Sequence, residues 1–286
     1  MNEWIDFSSC PSSGKDYGGR DEKLAIVYNG RPALLKFQNS NMVGYPRQNH
    51  IAEYAASHIF SICGFQTQVT YLGTYEGRPC VVCEDFVQEG EELVTLEGSL
   101  KGNESLLQRT YSFDEIRNLL QVPTKLTGLD ASSFYFDLYI MDAFLANWDR
   151  HCQNWGFIKK NGKYRFAPIY DNAGCLYSYA DGKQRIEDTL QYPLLMKTAI
   201  EDYPSSRLRA PSGRNAYYHV LKECEEKELD EAILRIYPRI NLEEIFHFLE
   251  DLLQENQLLL HYYKVLLKAR YEDVLKPRYQ RALAKL

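Results

Sequence analysis

Apolar and polar positions alternate through the first third of the chain and then change to a helical period. Leu24-Ala25-Ile26-Val27-Tyr28 and Ala33-Leu34-Leu35-Lys36-Phe37 read as strands, and Asn29-Gly30 between them is the strongest short hairpin signal available. Two further strands are expected at about 67–74 and 78–86, joined by Tyr75-Glu76-Gly77. Between the two pairs, Ile51, Tyr54, Ala55, His58, Ile59 and Ile62 recur at helical spacing and predict a helix over about 49–63, ended by Gly64. Periodicity puts Glu53 on the opposite, solvated face and makes His58 a packed histidine of the apolar stripe. After Glu84 the chain becomes acidic and loop-like through Gln88-Glu89-Gly90-Glu91-Glu92. The lobe boundary is expected there, dividing 1–88 from 89–286.

The remainder reads as mainly helical. Ser112 and Glu115 form a capping box for a short helix over 113–121, stopped near Pro123. A stronger helix over 132–145 shows Phe134, Leu138, Met141 and Leu145 along one face. A hairpin around Asn161-Gly162 follows, and it carries the chain to Asp171. From 171 to 213 patterns are weak and glycines and prolines frequent, as in a substrate-side or activation-type segment. Helices are expected over 223–236, over 242–253 with Asn241 as N-cap, and over 256–275. The basic tail 276–285 is expected to be a solvated helix face. The pattern is α+β, with a small β-rich N-lobe and a larger, mostly α-helical C-lobe.

With 286 residues, 45% of them hydrophobic and 25% charged, the chain has ample core for two lobes. A net charge of −6 argues against a dedicated nucleic-acid binder, so no DNA binding is expected. No apolar run approaches the length of a membrane span. The start lacks a basic n-region and an apolar h-region, so no secretory signal is visible. Seven scattered cysteines suit reduced thiols in a cytoplasm. Cys80 and Cys83 form a CxxC, but residues three apart on a strand point to opposite faces, and no second pair completes a zinc set.

The chemistry concentrates in Asn147-Trp148-Asp149-Arg150-His151-Cys152-Gln153-Asn154 and Ala167-Pro168-Ile169-Tyr170-Asp171. Asp149, an amide five residues later and Asp171 make a spaced set of hard oxygen ligands of the kind magnesium takes beside substrate phosphates. On a helix, Asp149 and Asn154 would lie about 140° apart, so a shared metal requires a loop there. Lys36, in an apolar strand, suits either a nucleotide phosphate contact or a protected sheet edge. The Gly- and Ser-rich residues 8–20 suit either a phosphate-covering loop or a flexible leader. No GxSxG nucleophile elbow is present, which argues against a Ser-His-Asp hydrolase.

In this order, loop, Lys36, Glu53, Asp149, Asn154 and Asp171 resemble the HipA-type serine/threonine kinases. The chain is most similar to their compact CtkA-like members. The resemblance is carried by Gly18-Gly19-Arg20-Asp21-Glu22-Lys23, Leu34-Leu35-Lys36-Phe37, Glu53-Tyr54-Ala55-Ala56, the two motifs above, and Leu234-Arg235-Ile236-Tyr237-Pro238-Arg239-Ile240. It implies a two-lobed protein-kinase-like fold and ATP-dependent phosphorylation, including autophosphorylation, of protein Ser or Thr. By the same resemblance Asp149 would be the base, Asn154 and Asp171 would hold Mg2+, and Lys36 would contact the ATP phosphates, oriented by Glu53. Gly18, Gly19 and Lys23 would belong to the phosphate-covering loop, and Glu84 and Phe86 to the adenine hinge. Asn147 and His151 would support the catalytic loop.

Asp16 stands where full-length HipA toxins carry a loop serine, leaving Ser12 and Ser13 as nearby acceptors. Asp171-Asn172 replaces Asp-Phe-Gly. The partner implied is a protein with a Ser/Thr acceptor; an antitoxin-like partner is not named by the sequence. The competing readings are a lipid or small-molecule kinase with the same DRHxxN loop, and a nucleotide-binding pseudokinase. The intact Asp149, Asn154 and Asp171 argue against the latter.

Overall fold

The computed structural model describes residues 4–17, 22–42, 44–179 and 182–286. Its first sheet has five strands: β1 (Ile5–Asp6), β2 (Lys23–Tyr28), β3 (Arg31–Phe37), β4 (Thr70–Tyr75) and β5 (Arg78–Glu84), in the order β1-β4-β5-β3-β2. Asn29 and Gly30 both take positive φ (49° and 75°), as a two-residue hairpin turn requires, and Gly30 does so without a Cβ penalty. β3 lies between β2 and β5, pairing Lys36 with Lys23 on one side and Val81 on the other. Lys36 is therefore on an interior strand, which removes the edge-strand reading.

Strand alternation sends Ala33, Leu35 and Phe37 into a cluster with Ile26, Cys80 and Val82. Val81 and Cys83 face the other way, toward Leu72. The CxxC thiols are thus buried on opposite faces, as the spacing predicts.

Helix α1 (Asn49–Ile62) crosses that second face. His58 donates from Nδ1 to Tyr54 O (2.9 Å) and stacks on Phe248 at 5.2 Å, a packed histidine as expected. Glu53 departs from expectation: it is fully buried. A hydrophobic stripe reports one buried face, whereas α1 is wedged between the sheet and the C-lobe and has two.

The C-lobe begins with β6 (Glu92–Thr95), which pairs with β7 (Gly156–Lys160), itself paired with β8 (Lys163–Phe166). Residues 88–91 form the expected acidic connection, and β6 begins at Glu92, where the ladder with β7 supplies its hydrogen bonds. Helices α2 (Leu96–Ser99), α3 (Phe113–Thr127) and α4 (Ala131–Leu145) follow. Ser112 and Glu115 make the predicted capping box, but α3 runs through Pro123 to Gly128. Leu119, Leu120 and Pro123 are buried along it, and that packing outweighs the one N–H that proline removes.

The weakly patterned 171–213 region contains α5 (Lys183–Gln191) and α6 (Pro193–Glu201). The helix expected over 223–236 is α8 (Lys227–Ile236), and α7 (Tyr217–Glu223) precedes it. They are followed by α9 (Leu242–Leu252), capped by Asn241, and α10 (Gln257–Ala269). A π-helical segment, Arg270–Leu275, continues α10 into α11 (Lys276–Leu283).

The basic tail is docked rather than solvated. Arg278 is 1% exposed, donates to Cys224 O and to Glu226 O (2.9 Å), and pairs with Asp230 at 2.6 Å. Arg281 donates to Leu221 O and to Lys222 O (2.6 Å). The break between α7 and α8 leaves helix-end carbonyls beside acidic side chains, and the tail's cations satisfy both. One extended core runs from α1 through the C-lobe helices.

Candidate active site

Lys36, presented by β3, bonds Glu53 Oε2 and Asp171 Oδ1, each at 2.8 Å. Burial alone would lower the ammonium's pKa, but Glu53 and Asp171 outweigh it and hold it well above its ordinary value. The other oxygen of Glu53 accepts the Asn172 N–H at 2.7 Å. Glu53 therefore joins β3 to the segment that carries Asp171. Asp171 itself takes φ +57°, a left-handed conformation that turns the chain at the end of the APIYD stretch.

The chain leaves helix before Asp149, as a metal shared by Asp149 and Asn154 would require. α4 ends at Ala146 with φ 55°, and residues 147–154 form a loop. Asn147 donates from Nδ2 to Asp142 Oδ1 (2.8 Å) and accepts the Asp149 N–H on its own Oδ1 (3.0 Å). Asn154 donates from Nδ2 to Asp149 O at 2.9 Å, which leaves its amide oxygen for a metal. Gly174 passes so close that a Cβ there would meet Asn147 Oδ1 at 2.9 Å and Asp149 Cβ at 3.0 Å. Only glycine lets the two segments approach in this way.

Beneath the loop lies a buried hub. Arg150 forks onto Asp142 (Nε–Oδ2 3.0 Å, Nη2–Oδ1 3.1 Å) and donates to Asn154 O, Tyr170 O and Asn172 Oδ1 at 2.8–2.9 Å. Asn172, fully buried, also donates to Ser57 Oγ at 3.0 Å, so α1, the loop and the Asp171 segment share one polar network. Asp142, Ser57 and Gly174 are not singled out by the sequence, and Asn172 stands out there only as a departure from Asp-Phe-Gly. A lone carboxylate in the apolar run Ile140-Met141-Asp142-Ala143-Phe144 is the signal that could have found the first.

The two acidic groups diverge in proton affinity. Burial raises the Asp149 carboxyl above its ordinary range; the Asp171 charge adds to this while His151 and Arg207 oppose it. Asp171 is held below that range, chiefly by Lys36. Asp149 therefore has the greater affinity for a proton and Asp171 the lesser.

The remaining expected residues fall around this centre. Lys23 lies on β2, in register with Lys36; Gly18 and Gly19 lie outside the described residues. The preceding segment runs along β2, with Val27 N–H on Pro11 O (2.8 Å) and Ser13 N–H on Ala25 O (3.0 Å). Lys15 and Tyr17 both reach Asp85, on the connection between the lobes. Glu84 uses its backbone within the protein, donating to Val69 O (2.9 Å) and accepting from Gln68 Nε2 (2.8 Å). Phe86 packs on Tyr170 at 5.3 Å, in a cluster with Ile158, Ala167 and Leu93.

Among the described residues no three His, Cys, Asp or Glu side chains form a metal cage. One carboxylate and one amide oxygen suit an ion brought in with phosphate oxygens, and magnesium is commonly held so.

Residues 16–238 match the family model described as the HipA-like C-terminal domain. The serine/threonine-protein kinase CtkA of Helicobacter pylori is 28% identical over 293 residues, which span 98% of this chain and 89% of that protein. A crystal structure of a Helicobacter pylori proinflammatory kinase CtkA aligns with a TM-score of 0.85 and 26% identity, covering 99% of both chains. HipA of Shewanella oneidensis, solved with HipB and operator DNA, aligns with a TM-score of 0.59 at 16% identity. That match covers 92% of this chain and 65% of HipA, a likeness of fold alone.

Proposed function

The chain belongs to the HipA-like C-terminal domain family, and from that premise we propose that it transfers the γ-phosphate of ATP to protein Ser or Thr with Asp149 as base. It is a serine/threonine kinase of the HipA/CtkA type. The observation that carries the mechanistic reading is the single network joining Lys36, Glu53 and Asp171 to the loop bearing Asp149 and Asn154.

Lys36, fixed by Glu53, would contact the phosphates, and Asn154 and Asp171 would hold magnesium. When bound, ATP with magnesium supplies the phosphoryl group and neutralises the charge of its transfer. Asp149 accepts the proton of the acceptor hydroxyl, a task helped by its raised affinity for a proton. By the family resemblance Lys23 would help cover the phosphates, and Gly18 and Gly19, outside the described residues, would belong to the same loop. Phe86 and its neighbours support the adenine, with the connection around Glu84 at its edge. Ser12 and Ser13, on the segment beside β2, are the nearest candidate sites of autophosphorylation. Among the described residues no helix is long and apolar enough to cross a membrane.

The test is phosphate incorporation from labelled ATP with magnesium, for wild type and Asp149→Asn, followed by mass spectrometry. Labelling of Ser or Thr that drops about 10²–10⁴-fold in the variant is expected. Equal labelling of both proteins would remove Asp149 from the role.

A further inference from the structure

Away from the cleft, a cavity of about 470 Å³ opens where the first sheet meets the turn between α9 and α10. None of Lys36, Glu53, Asp149, Asn154 or Asp171 lines it. Its volume falls in the range of sites that take small organic molecules. Trp4, Ile51, Leu72 and Leu252 form apolar walls, and Asp251 and Glu255 place two carboxylates at the rim. Among the described residues no lysine or arginine lines it.

His50 is the second observation. Its side chain is 2% exposed, lines the cavity, and sits edge-on to Trp4 at 5.8 Å. Its Nδ1 is buried with no hydrogen-bond partner among the described residues. Such a group is costly to leave unmatched. Burial draws the imidazole down to about 4, so it is neutral at physiological pH and adds no cation to the wall. His247, on the same helix as Asp251, lies 3.8 Å from that carboxylate and is largely exposed.

We propose that this cavity binds a small organic amine, its ammonium at Asp251 and Glu255 and its aromatic or branched apolar body between Trp4, Ile51 and Leu72. The site is coupled to the cleft through the start of α1, one turn before Glu53. There Gln48 N–H bonds Ser178 O (2.9 Å), in the segment after Asp171, and Asn49 Nδ2 bonds Phe37 O (3.0 Å), beside Lys36. A ligand that shifts α1 must then change nucleotide affinity, and nucleotide must change amine affinity by the same factor.

The test is calorimetric titration of the full chain with tryptamine, and with indole-3-propionate as the same ring bearing the opposite charge. Each is run with and without saturating ATP and magnesium. Tryptamine is expected to bind one site in both conditions, and the carboxylate at least about tenfold more weakly. Asp251→Asn with Glu255→Gln, two exposed positions, should weaken tryptamine by roughly three- to tenfold, as two rim ion pairs allow, with unchanged thermal stability. Equal binding of the two probes, full competition by ATP, no binding at millimolar tryptamine, or unaltered affinity in the variant would each overturn the proposal. The readout needs no catalysis, so absent phosphate transfer would count against the kinase mechanism alone.

Discussion

Replacing Asp142 with Leu removes the countercharge of Arg150 while nearly conserving volume. Asp142 is 1% exposed and Arg150 8%, and the pair is joined by two hydrogen bonds of 3.0 and 3.1 Å. Removing one partner of a buried pair typically costs about 3–5 kcal/mol, because the other charge remains buried. The three remaining acceptors of Arg150 (Asn154 O, Tyr170 O and Asn172 Oδ1) favour the lower end of that range. A chain of 286 residues has an unfolding entropy near 0.6 kcal/mol per kelvin, so the melting temperature should fall by about 5–8 °C. Arg150→Met should cost a similar amount. The double variant should be more stable than the sum of the singles predicts, by about 2 kcal/mol, since it buries no lone charge. Its catalytic loop would still lack the hub under Asn154 and Asn172, so activity should stay low while stability recovers. Urea titration of the four proteins gives the cycle, and phosphate incorporation gives the function. Strictly additive single effects, or an Asp142→Leu protein melting within about 1 °C of wild type, would refute the hub's role.

Two further outcomes follow from the same network, and a third from the distal cavity. Lys36→Met strands the buried carboxylate of Glu53 and should destabilise by about 1–3 kcal/mol; adding Glu53→Gln should restore much of that stability but no activity, as denaturant midpoints and turnover would report. Gly174→Ala forces a Cβ against Asn147 Oδ1 and Asp149 Cβ, so turnover should fall by about tenfold or more for a modest stability loss, read by kinetics beside thermal melting. His50, at about 4 when folded and near 6.5 when unfolded, makes the unfolded chain bind more protons between those values. Stability should therefore decline as pH falls from about 6.5 to 4, by up to about 3 kcal/mol, and His50→Gln should flatten that limb of the urea-midpoint profile.

What the sequence determined by itself was local. Asn29-Gly30 and Asn161-Gly162 place positive-φ turns because few other residues tolerate that backbone. Ser112, Glu115 and Asn241 cap helices because they satisfy orphan N–H groups a few residues away. The motif spacing carried the family, and with it the order of Lys36, Glu53, Asp149, Asn154 and Asp171.

Tertiary structure decided what each of those side chains faces. Glu53 looked solvated because periodicity sees one buried face, and the C-lobe covers the other. Lys36 could have been an edge residue until β5, more than forty residues later, paired beside it. The basic tail looked like surface until its arginines met the carbonyls and carboxylates around the α7–α8 break, about fifty residues away in sequence. The same holds for Arg150 and Asn172, whose partners come from α1, α4 and both motif segments. Turns and caps are closed by neighbours in the chain, whereas burial and charge pairing are closed by segments that meet only when the lobes pack.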